Sequence, residues 1–321
     1  MIPLKYQKNE KIENEFYELV IQKRNEGFIA DINKKCEQYL GRTFKEIVCA
    51  SPQCLNELQK DIFIRPDYEQ IKEAFKQITS KHCKKTHDYI RKTLYNKLPN
   101  KARQLVYDNA GLKTCPYCNR NFIENIDMNE YKSENVGTFE LDHFYSKKYF
   151  PMFAVSFYNL IPVCSVCNRI KKDAFFNINP YLIEKKDEMT FTYDILGSEY
   201  MDNEEQLIIR LKCKNRKVHD DAKALHLEKV YNGHKDIVCE IIKKVRCYNL
   251  EYIECILKET ENLFDNKEEL YRVLYGGYEN PDEFGKRPLS KFIKDIYLET
   301  VNMMNGFDTL ETSLNNNYFT E

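Results

Sequence analysis

The sequence carries almost no excess of either charge: 49 basic and 50 acidic side chains leave a formal net charge of −1. That balance excludes a generic nucleic-acid coat, so any nucleic-acid footprint has to be a local patch. A long apolar run is also missing. The most apolar stretch, residues 150–164, is too short to span a bilayer and is interrupted by Pro151, Asn159 and Pro162. The opening residues MIPLKYQKNEKIENE hold no apolar segment of a secretion signal, so a cytoplasmic protein without membrane contact is expected. No internal repeat is visible. With 31% charged and 42% hydrophobic residues over 321 positions, the composition is that of a globular protein with room for two or three units.

What the chain has in quantity is cysteine, 12 in all. Without secretion a disulfide framework is not expected, and paired cysteines are read as metal ligands. Two pairs have the spacing: Cys115 and Cys118 in CPYC, and Cys164 and Cys167 in CSVC. Two chelating turns far apart in the chain are the usual layout of a four-thiolate zinc site. Such a shell is closed, so this zinc is expected to be structural. Cys36, Cys49, Cys54, Cys83, Cys213, Cys239, Cys247 and Cys255 show no second metal spacing and are read as reduced thiols.

Hydropathy patterning predicts an α+β chain, mostly helical, in three parts. Residues 1–104 read as helical, with helices expected over 9–27, 31–40, 43–49 and 66–81. Residues 105–180 hold the cysteine pairs, with strands expected over 120–126, 138–144 and 160–163 and a helix over 165–173. Residues 181–321 read as mixed but mostly helical, with strands at 189–194 and 206–212 and helices at 220–246, 248–263 and 268–275. Residues 81–103 are the most basic stretch, including Lys84, Lys85 and Arg91 against a single acid, Asp88. They are read either as a solvated helix face or as a phosphate-contacting arm. Lys171 and Lys172 carry the same two readings. His226 and His234 are read as helix packing and capping rather than a second metal site. Phe175, Phe176, Phe150, Phe153 and Phe157 are read as core.

Between the cysteine pairs the chain places Asp142-His143 and Asn159, and Asn168 directly follows the second pair. This order, with CPYC, LDHFYSKKYFP and SFYNLIPVCSVCN, resembles the HNH endonucleases of ββα-metal fold. The resemblance covers residues 115 to 173. It implies a central ββα-metal core with a four-cysteine structural zinc and hydrolysis of phosphodiester bonds in nucleic acid, DNA first. It further implies that His143 is the general base and that Asp142 and Asn168 are oxygen ligands of a catalytic Mg²⁺ or Mn²⁺. Asn159 would orient the His143 ring. Asn168 stands where the family pattern often has a histidine, which leaves the metal preference open. The aromatic context is similar to the HNH nucleases of bacterial anti-phage defence, the Septu type among them, which work with an ABC-like ATPase. An ATPase partner bound by the regions outside the core is therefore expected. Two further readings stand beside it: an HNH ribonuclease, for instance one acting on tRNA, and a zinc-stabilised nucleic-acid-binding module without catalysis.

Overall fold

The computed structural model describes residues 1–76, 90, 93–126, 136–248, 250–260 and 263–316. The chain is α+β, with helices and short antiparallel strand pairs in two compact units, Met1–Glu184 and Lys185–Glu321. Among the described residues no helix is long and apolar enough to cross a membrane.

Local capping chemistry sets the helices of the first unit. Helix α1 (Glu10–Ile21) starts where the Asn9 side chain accepts the Ile12 amide, and it buries Phe16 and Val20. The pattern expected to continue to residue 27 stops early, and Lys23 takes a left-handed φ of 59°. Helix α2 (Glu26–Leu40) then begins ahead of the expected start at 31 and ends on Gly41, whose φ of 64° suits glycine. Helix α3 (Phe44–Val48) has a full capping box of Thr43 and Glu46. Helix α4 (Pro52–Phe63) was not among the predicted elements, although Ser51 as its cap and Pro52 in its first turn are ordinary start signals. Helix α5 (Tyr68–Lys76) buries Ile71 and Phe75. Lys84, Lys85 and Arg91 lie outside the described residues. Helix α6 (Asn100–Ala110) follows Pro99 and runs across positions 104 and 105.

Two short strands, β1 (Asn125–Ile126) and β2 (Val136–Gly137), pair antiparallel. Of the strand expected over 120–126 only this end and an isolated Thr114–Phe122 bridge form, because residues 115–121 are held in turns by the first cysteine pair. The next strand pair matches its expectation more closely. Strand β3 (Glu140–His143) lies antiparallel to β4 (Leu160–Val163), with Asp142 opposite Ile161 and His143 opposite Leu160. Helix α7 (Ser165–Lys171) follows β4 directly and packs on β3. Strand β4 is buried throughout, as a continuous apolar run requires.

In the second unit, β5 (Met189–Ile195) pairs along its length with β6 (Leu207–Cys213). The long helix α13 (Ser290–Asn316) packs on β5. Phe292 meets Phe191 edge-on at 5.3 Å, and Asp295 accepts the Phe191 amide at 2.9 Å. The single helix expected over 220–246 is instead three: α8 (Arg216–Ala224), α9 (Leu227–Tyr231) and α10 (Lys235–Cys247). The first break falls at His226, which takes φ 52°, and His234 packs against Tyr231 and Phe292. After α10 come α11 (Leu250–Glu259) and α12 (Lys267–Tyr275), the latter ending on Gly276 at φ 81°.

Candidate functional site

The two cysteine pairs come together. The Sγ atoms of Cys115, Cys118, Cys164 and Cys167 all lie within 4.8 Å of one another and all four residues are buried. Each pair is shaped by its own local chemistry. After CPYC, Asn119 turns into a left-handed φ of 50°, its amide reaches back to the Cys115 carbonyl at 2.7 Å, and the Arg120 amide points at Cys118 Sγ at 3.4 Å. On the other side Cys164 caps α7, and its Sγ accepts from the Cys167 amide. The Asn121 amide nitrogen crosses from the first turn to Cys164 Sγ at 3.2 Å. Amides aimed at sulfur favour thiolates.

The cluster fits zinc on its donor set. A tetrahedral ion with Zn–S of about 2.3 Å puts its sulfurs about 3.8 Å apart, and Cys118 and Cys164 are 3.9 Å apart. Burial pushes the Cys115 thiol up, whereas bonds from Cys115 and its neighbours pull Cys118 and Cys164 down. Cys167 is pushed up by the same neighbours, with Cys115 the largest influence. Four buried thiols cannot all ionise without a cation among them. Among the described residues, these four cysteines are the cluster of three or more His, Cys, Asp or Glu side chains that could hold a metal ion.

Helix α7 links this cluster to a cleft. Asn168 follows Cys167 by one residue, so the second cysteine pair sets where Asn168 stands. A cleft of about 590 Å³ is lined by Asp142, His143, Asn168 and Lys172, among others. The predicted residues Asp142, His143 and Asn168 thus share one concave surface. Ser146, Lys147, Arg169, Asp173 and Tyr95 also line it and were not singled out from the sequence. Only the position of Arg169, next to Asn168 on a short helix, was a usable signal.

His143 is buried at the end of β3. Its Nε2 lies 2.9 Å from the Ala154 carbonyl oxygen. A carbonyl only accepts, so Nε2 carries the proton and the basic lone pair sits on Nδ1. The Tyr95 ring packs on the imidazole at 4.3 Å between centroids, and the Tyr95 hydroxyl donates to the Leu141 carbonyl at 2.8 Å. Asn159 does not orient the ring by bonding to it, as was expected. Its side chain, fully buried, accepts the Tyr145 amide at 2.8 Å and donates to the carbonyls of Tyr145 and Phe153. The Phe153 carbonyl is next in the chain to the Ala154 carbonyl that receives His143. Asn159 therefore holds the loop that holds the ring.

Asp142 is buried and heavily bonded. The Tyr117 hydroxyl donates to Oδ2 at 2.6 Å, and Lys171 Nζ lies 3.2 Å from Oδ1 and 3.0 Å from Oδ2. Burial, and next the Asp142 charge, push the Tyr117 phenol well up, so it stays a donor. Lys171 also donates to the His143 carbonyl at 2.9 Å and lies over the Phe176 ring. The reading of Lys171 as a phosphate contact is corrected by this burial: its side chain has no exposure. It lies one helical turn beyond Cys167, which turns it toward β3 rather than solvent. Lys172 is exposed and does line the cleft. Phe176 is core, but Phe175 is not, at 47% exposure.

Asn168 donates from its amide nitrogen to the carboxylate of Glu140, two residues before Asp142 on β3. That bond uses the amide nitrogen and not the Asn168 Oδ1, a neutral oxygen acceptor. A carboxylate accepts about four bonds, and the contacts from Tyr117 and Lys171 leave Asp142 Oδ1 with an acceptor position.

The Lys171–Asp142 pair makes a clear stability prediction. Lys171→Met leaves a buried carboxylate without its cation, which costs about 3–5 kcal/mol. Urea denaturation should show that loss, and the double change Lys171→Met with Asp142→Asn should recover most of it. Additive losses in the double variant would mean the pair is not coupled.

Comparison of the chain with protein-family models, with curated proteins and with solved structures finds no match.

Proposed function

We propose that the protein is a metal-dependent HNH-type endonuclease that hydrolyses phosphodiester bonds in nucleic acid, DNA in the first instance. The observation that carries this reading is the arrangement of β3, β4 and α7. Strand, strand and helix bring Asp142, His143 and Asn168 to one cleft, while a four-cysteine cluster pins the start of that helix. In this reading the three elements are the ββα-metal core.

His143 Nδ1 takes the proton of an attacking water, with Nε2 held on the Ala154 carbonyl so that the ring cannot swing away. Asn159 secures that carbonyl's loop. Asp142 and Asn168 hold the divalent cation, Mg²⁺ or Mn²⁺, which when bound supplies charge stabilisation to the phosphate and leaving oxygen. Arg169, Lys172 and Lys147 give the cleft wall positive charge for a polyanion. The zinc is structural: four sulfurs close its shell and leave no site for substrate. Apart from Tyr95, which lines the cleft, and Phe63 at the end of α4, the helices before Thr114 and the second unit go beyond what the cleft needs, and we assign them to an ABC-like ATPase partner in anti-phage defence.

The test offers plasmid, single-stranded DNA and tRNA to the purified protein with Mg²⁺ or Mn²⁺, alone and with the product of the neighbouring gene. Cleavage should require the added ion, and the protein should carry about one zinc per chain. Faster cleavage of RNA than DNA under the same ion would assign it as a ribonuclease. Binding without cleavage in every arm would leave only a zinc-stabilised binding module.

A further inference from the structure

Phe175 and Phe63 form an aromatic surface that the cleft chemistry does not use. Phe63, the last residue of α4, is 50% exposed, Phe175 is 47% exposed, and their ring centroids are 6.0 Å apart with 35° between planes. Ile64, next in the chain, is 80% exposed. Scattered exposed hydrophobic residues need no explanation, but two adjacent half-exposed rings on a rigid base do. The base is rigid because Phe63 also packs on the fully buried Phe150 at 6.1 Å and edge-on to Tyr68 at 5.4 Å.

This surface is joined to the cleft by short connections. Phe175 is two residues past Asp173, which lines the cleft and accepts from the Ser146 hydroxyl at 2.8 Å. The Phe150 amide donates to the Ser146 carbonyl at 2.8 Å. Both rings are therefore anchored to the segment that forms the cleft wall. Lys148 lies over Tyr149, whose carbonyl accepts from Tyr68, and Lys72, ion-paired with Glu69, lies over the Tyr68 ring. Lys147 and Lys172 continue the positive charge into the cleft.

Aromatic rings bordered by lysines and continuous with a basic cleft match a polyanion with exposed flat bases. A duplex buries its base faces in the stack, so only unpaired nucleotides present them. Resting on the nuclease reading of the cleft, we propose that the substrate is engaged as an unpaired strand. Its backbone lies along the basic cleft wall and at least one base stacks on Phe175 and Phe63. A protein partner docking through apolar contact alone would have no use for the lysine border.

The experiment measures binding rather than cleavage, so it is independent of the catalytic assignment. His143→Ala protein without added divalent ion is titrated with labelled oligothymidylate of about 12 nucleotides. Matched oligouridylate, an abasic strand and a duplex of the same length complete the set. The unpaired strands should bind more tightly than the duplex and than the abasic strand. Comparing thymidylate with uridylate separates DNA from RNA as the source of the strand. Phe175→Leu keeps apolar area without a π-face and should weaken binding of the unpaired strand by about 5- to 150-fold. Phe175→Tyr should keep it. Both positions are half-exposed, and thermal melts verify that each variant is folded. The proposal is overturned if the duplex binds as tightly as the single strand, if Phe175→Leu binds like the parent, or if abasic and normal strands bind alike. A chain that binds unpaired strands through Phe175 yet never cleaves them would keep this inference and sink the nuclease reading. A chain that cleaves duplex freely and ignores Phe175 would do the reverse.

Discussion

Replacing His143 with alanine should lower phosphodiester cleavage by about 10²–10⁴-fold, the usual contribution of a positioned general base. The fold and the cysteine cluster should survive. The imidazole contacts the Ala154 carbonyl and the Tyr95 ring, and neither is part of the thiol shell. Losing one buried hydrogen bond costs about 1–3 kcal/mol, so the melting temperature should fall modestly. The zinc content should stay that of the parent protein. A cleavage assay, a thermal melt and elemental analysis on the same preparation decide the matter. A variant that still cleaves at the parent rate, or that loses its zinc, would show that His143 has another role.

Cys164→Ser should behave in the opposite order, losing structure first and activity as a result. Serine can still cap α7, but its hydroxyl is a poor ligand in a thiolate shell. Cys164 also receives the Asn121 amide that ties the two turns together. Structural zinc contributes on the order of 10–16 kcal/mol to small domains that depend on it. Whole domains are stable by only about 5–15 kcal/mol. The first unit should therefore lose its zinc and its cooperative melt near 25 °C, and Asn168, Lys171 and Lys172 should lose their positions with α7. Removing zinc from the parent protein with a strong chelator should reproduce the effect, and zinc added back should reverse it. A zinc-free Cys164→Ser protein that keeps its melt and its activity would mean that hydrophobic packing alone holds the helix.

Several parts of this molecule are legible in the order of its residues. Strand β4 is legible because its apolar run is too short for a helix and is bounded by turn residues. The cysteine pairs are legible because two thiols separated by two residues can meet one ion from a single turn, a local constraint written into the spacing. The grouping of Asp142, His143 and Asn168 was expected from a resemblance, not from periodicity; all three line one cleft. Helix α4 was missed although its signals, Ser51 and Pro52, are local. The break at His226 was missed because a left-handed φ is uncommon at any non-glycine residue, and the enrichment of histidine there is too weak to mark one position.

The sequence by itself determined the chelating turns, the α+β class and the order in which the chemical groups occur, since each depends on neighbours a few residues apart. Tertiary structure alone decided what those groups touch. Tyr117 sits inside CPYC, where it reads as a spacer, yet its hydroxyl reaches Asp142, 25 residues away. Lys171 reads as a surface lysine at the end of a basic helix. Its burial follows from α7 packing on β3, which brings it to a carboxylate 29 residues back in the chain. Asn159 reads as a partner for His143 and is instead a clamp on the loop between them. Phe175 and Phe176 are identical neighbours in sequence, and one lies in the core while the other faces solvent. The physical reason is the same in each case. A short helix or loop leaves the direction of its side chains open until another element packs against it, and that packing depends on contacts no local pattern encodes.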